Sequence, residues 1–86
     1  MTISFPLEYT SFLGHKTVVN RVSEDLFDFL VTTKEGQPFE YRWQEGVPQQ
    51  TVRSGHWVSG DVMPTDVLND VTCEFWRYLD GTYDRQ

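Results

Sequence analysis

The stretch Pro38-Phe39-Glu40-Tyr41-Arg42-Trp43, PFEYRW in one-letter code, sets a ring at every second position and a charge between each pair. A repeat of two belongs to a β-strand, whose successive side chains point to opposite sides. Phe39, Tyr41 and Trp43 therefore share one face, and Glu40 and Arg42 the other. Lys34-Glu35-Gly36 precedes the stretch and Gln44-Glu45-Gly46 follows it. In each, glycine can take the left-handed conformation that closes a short hairpin loop. The expectation is a three-stranded meander over roughly residues 26–33, 38–44 and 47–53, with Pro48, which lacks an N–H, confining the last strand to an edge.

A ring-bearing face needs a cover, and the C-terminal quarter supplies one. Over residues 66–80 the pattern turns helical at about 100° per residue. Val67, Leu68, Val71, Phe75, Tyr78 and Leu79 gather on one side, with Thr72 and Trp76 at its margin. Asp66, Asn69, Asp70, Cys73, Glu74, Arg77 and Asp80 take the other. Thr65 reads as the N-cap, Asp66 complements the positive end of the helix dipole, and Gly81 reads as the terminating residue.

The rest of the chain extends the sheet. Ile3, Phe5, Leu7 and Tyr9 alternate, though Pro6 makes this an edge or irregular segment. After Gly14, residues 16–22 (KTVVNRV) read as a β-branched strand. Residues 26–33 fit a helix capped by Ser23 as well as a strand, and the ending Val31-Thr32-Thr33 favours the strand. Two glycines bend residues 53–61, with Val58 and Val62 continuing the sheet beyond. The expected fold is α+β: a small antiparallel twisted sheet or half-barrel of four to five strands, packed by one C-terminal α-helix over about residues 65–80. Residues 1–86 form a single small globular domain with 82–86 as a frayed tail.

Bulk chemistry narrows the function classes. The 86 residues include thirteen Asp and Glu against seven Lys and Arg, a net charge of −6 that repels phosphate backbones and suits a basic partner. Aromatic residues make up 15% of the chain, more than so small a core readily encloses. Cys73 is the only cysteine, so neither an internal disulfide nor a cysteine zinc cluster can form. The first ten residues lack the basic and apolar regions of a secretion signal, and no run is long enough to span a membrane. The expectation is a cytoplasmic protein that begins at Met1.

Catalytic signatures are absent from the sequence. His15 and His56 are the only imidazoles, and nothing places Cys73 beside either. Gly55-His56-Trp57-Val58-Ser59-Gly60 lacks the serine spacing and framework of a hydrolase elbow, and His56 with Asp61 falls short of a metal ligand set. No catalytic residue, cofactor or metal site is expected.

Two uses of the surface remain. The first is a non-enzymatic protein-interaction module, acting through Asp66, Asp70 and Glu74, which recur every fourth residue as an acidic ridge, and through exposed Trp57 and Trp76. Its partner would be a protein with a basic surface, or a second copy. The alternative is a single-stranded nucleic-acid-binding protein that stacks bases on Phe39, Tyr41 and Trp43. Such a platform needs basic surroundings, and Glu35, Glu40 and Glu45 offset Arg42 and Arg53.

Overall fold

The computed structural model describes residues 4–46 and 53–80. Five strands, β1 (Leu7–Thr10), β2 (Lys16–Arg21), β3 (Leu26–Thr32), β4 (Pro38–Glu45) and β5 (Gly55–Gly60), precede one helix, α1 (Thr65–Leu79). The strands pair antiparallel in the order β1-β2-β3-β4-β5, so each lies beside its neighbour in sequence and the sheet stays open. Residues 26–32 are thus strand, as their β-branched ending favours.

Register converts the alternation into ranks of side chains across the sheet. Tyr9, Thr17, Val31 and Phe39 form one rank; Leu7, Val19, Phe29 and Tyr41 form the next; Phe27, Trp43 and Trp57 form a third. All point to the same face. The opposite face carries Glu8, Lys16, Val18, Asp28, Leu30, Glu40 and Arg42, the mixture of a side turned to water.

Helix α1 closes the ring-bearing face. Val71 and Phe75 are wholly buried, and the Phe75 ring meets Phe27 and Phe29 edge-on, each at 5.1 Å between centroids. Phe29 stacks in turn on Tyr41 at 5.1 Å. Tyr41 and Trp43 are buried and Phe39 packs against the same cluster, so the rings of PFEYRW line the core. Aromatic pairs of this kind contribute about 0.5–1.5 kcal/mol beyond the area they bury.

Three expectations change on inspection of the backbone. The strand after β4 is β5 at Gly55–Gly60, not residues 47–53; residues 47–52, Pro48 among them, lie outside the described residues. Gly46 donates its N–H to the Ser54 carbonyl, so Glu45-Gly46 continues the pairing instead of forming the apex of a tight loop. Lys34-Glu35-Gly36 does form one, with Gly36 at φ 89° and its N–H on the Thr33 carbonyl. At the start of α1, Pro64 occupies the cap position and no side chain caps the helix; Thr65 is already its first residue. Proline is tolerated there because the first helical amides lack carbonyl partners in any case. Gly81 and the tail at 82–86 fall outside the described residues. Among the described residues, no helix is long and apolar enough to cross a membrane.

Candidate functional site

The row Asp66, Asp70, Glu74 does not form a solvated ridge. Asp66 is exposed, Asp70 is half-buried with its Oδ2 3.4 Å from the Leu13 N–H, and Glu74 is buried, with Arg77 Nη1 3.6 Å from its Oε1. The cause is helical geometry: four residues exceed one turn, so each step of four rotates by about 40°. Two steps carry the row from the solvent side toward the face of Val67 and Val71, and Glu74 goes under.

Trp76 is also committed inside the molecule. Its Nε1 donates to Glu45 Oε1 at 3.0 Å, and Trp43 Nε1 donates to the same oxygen at 3.0 Å. Glu45 is 6% exposed, and Arg53 Nη1 lies 3.7 Å from its other oxygen while the Arg53 Nε binds Asp80 Oδ1 at 2.6 Å. Two indoles, a buried carboxylate and a guanidinium thus tie the end of α1 to β4. Trp76 is half-buried and Glu74 buried, so neither is the freely exposed side chain that the sequence suggested.

Trp57 is the most exposed of the three tryptophans. It is 40% exposed at the free edge of the sheet, beside Val58 at 42%, and Val62 follows at 77%. The pairing of β4 with β5 shifts register between Arg42 and Trp43, leaving Val58 as an extra residue on the edge strand. The indole is held in place: its Nε1 donates to the Asp61 carbonyl at 3.1 Å. Asp61 in turn exchanges bonds with β4, donating its N–H to the Glu40 carbonyl and accepting the Glu40 N–H on Oδ2, both at 2.9 Å. Gly60, at φ 102°, makes this approach possible, since a Cβ there would lie 2.6 Å from Tyr41 Cα.

The two sheet edges are defended differently. β1 is four residues long, follows Pro6 and carries Glu8, all features that discourage pairing with another chain. β5 has six residues with no proline and no Asp, Glu, Lys or Arg, and among the described residues its one such defence is its bulge.

The remaining candidates stand apart from one another. His15 is buried, and its Nδ1 accepts the Lys34 N–H at 3.1 Å, joining two turns. His56 and Cys73 are exposed on separate elements. Arg42 is held by Asp28 through Nε to Oδ1 at 2.7 Å and Nη2 to Oδ2 at 3.1 Å; this bidentate bond keeps the Asp28 carboxyl below its ordinary range. The face of Phe39, Tyr41 and Trp43 that would stack bases lies under α1. A shallow open depression of about 420 Å³ on the outer face is lined by Glu8, Thr10, Lys16, Val18, Leu30 and Thr32, a mixed set without convergent polar groups.

No family model matches the chain, and neither a curated protein nor a solved structure is significantly similar to it.

Proposed function

We propose that this protein is a small acidic, non-enzymatic interaction module that recruits another protein at the β5 edge, with Trp57 as its central contact. The observation that carries this reading is an indole fixed by its own hydrogen bond yet left open to solvent, beside Val58 on an uncharged edge strand. Tryptophan is the residue most often found at the energetic centre of interfaces, and a side chain already held in one place loses little freedom on binding.

The test compares capture by tagged wild type with capture by Val58→Lys, which sets a charge on the edge without touching the core. Loss of the captured protein with an unchanged melting temperature is the expected result. Undiminished capture by Val58→Lys and by Trp57→Ala would remove the edge as the docking element.

A further inference from the structure

A second feature of the surface is independent of the β5 edge. The turn between β1 and β2 inverts the usual order of polar outside and apolar inside: Ser11 and His15 at its base are 4% and 6% exposed, while Phe12 at its apex is 85% exposed and Leu13 48%. Single exposed apolar residues are common on protein surfaces. Here two stand together on a turn braced from three directions. Within the turn, the Ser11 N–H donates to the His15 carbonyl, the Gly14 N–H to the Ser11 carbonyl and the His15 N–H to Ser11 Oγ, at 2.9–3.0 Å. From the β3–β4 turn, Lys34 donates its N–H to His15 Nδ1. From α1, Asp70 Oδ2 accepts the Leu13 N–H.

From this arrangement we infer that the β1–β2 turn is a preformed apolar finger, and that its partner is a protein with an apolar socket rimmed by Lys or Arg. The socket follows from Phe12, an aromatic ring already out of the core and presented on a fixed backbone, so that docking it costs little ordering entropy. The basic rim follows from what flanks the finger. On the α1 side Asp70 accepts the Leu13 N–H and Asp66 stands exposed one helical turn earlier; the Lys34 side chain lies beside Gly14, and with the chain as a whole at −6 the excess charge a partner meets is negative. Lipid headgroups of net negative charge and nucleic acid are repelled by the same field, and a second copy brings carboxylates toward carboxylates.

The photoreactive analogue p-benzoylphenylalanine at position 12, incorporated in cells expressing the full chain, tests this by forming a covalent adduct with whatever lies in contact, and mass spectrometry identifies the adduct. The expected product is a protein cross-linked within an apolar pocket that has Lys or Arg at its margin. That protein, purified, should bind Phe12→Ala at least ~30-fold more weakly than wild type, as removal of an interface anchor does. Asp66→Lys should weaken binding at low salt and less so at high salt. An adduct only with a second copy, with lipid or with nucleic acid would overturn the proposal, as would the absence of any adduct. So would equal affinity of Phe12→Ala and wild type. Trp57→Ala in the same binding assay separates this finger from the β5 edge: it leaves the affinity unchanged if the two surfaces act independently, and the finger stands on the Phe12 result whichever way the edge is decided.

Discussion

Tyr9 and Tyr41 carry two buried hydroxyls with opposite fates. The Tyr9 hydroxyl donates to the Val71 carbonyl of α1 at 2.8 Å, whereas the Tyr41 hydroxyl has no hydrogen-bond partner among the described residues. A buried polar group without a partner costs about 1–3 kcal/mol, and a made bond returns about 0.5–1.5 kcal/mol. Tyr41→Phe is therefore expected to leave stability unchanged or raise it by up to about 1 kcal/mol, while Tyr9→Phe lowers it by about 1 kcal/mol. Urea denaturation of the two variants checks the order; a Tyr41→Phe protein less stable than Tyr9→Phe would contradict it. That both rings point inward was legible for Tyr41 from the alternation in PFEYRW and suggested for Tyr9 by the alternation Phe5, Leu7, Tyr9. Which hydroxyl finds a carbonyl was not, because that depends on where the turns of α1 land on the sheet. Phe12 escaped notice for the converse reason: it belongs to no periodic stretch. Its signal was two apolar residues at the apex of a turn closed by Gly14.

Helix α1 is fastened to the sheet by polar bonds as well as by its apolar face. Glu45 Oε1 receives both indole N–H groups, and removing that carboxylate takes the acceptor from both donors while Arg53 keeps Asp80. Glu45→Ala should cost about 1–3 kcal/mol, the penalty for leaving the buried Trp43 indole N–H without its acceptor. In a double-mutant cycle with Trp76→Phe the pair should couple by about 0.5–3 kcal/mol, as contacting residues do. Additive losses in thermal or denaturant melts would show that the bonds are incidental to packing. The helix itself and its apolar residues could be read from periodicity, as could the tight turn at Gly36. The clasp could not. Period two places Glu45 on the Trp43 side of β4, but on sequence grounds a carboxylate beside a glycine looks like part of a solvated turn. The same limit explains Glu74: residue type suggested solvent, while about 40° of rotation per four residues took it under the helix. The loop ahead of β5 was misjudged because the second Glu-Gly resembles the first, and only the bond from Gly46 to Ser54 distinguishes them.

The described residues form a two-layer object, one open sheet and one helix, and the pH response of its core follows from that. Burial raises the ionisation of both Tyr9 and Tyr41 well above the ordinary tyrosine range. A group whose folded value is raised contributes stability that is complete below its unfolded value and is lost as pH rises past it. For two such groups the loss is about 2.7 kcal/mol per pH unit above about pH 10. Circular dichroism and tyrosinate absorbance followed together should show these phenols ionising only as the fold opens, and the double variant Tyr9→Phe, Tyr41→Phe should resist base better than wild type. Ionisation of all tyrosines before any loss of secondary structure would refute this. The strand order carries a different consequence. Because every strand docks on the one made just before it, a ribosome can lay down the sheet in sequence, yet the lid for its aromatic side emerges only after all five strands. Until those fifteen residues arrive, the ring-bearing side of the nascent ribbon lacks the cover that α1 gives it.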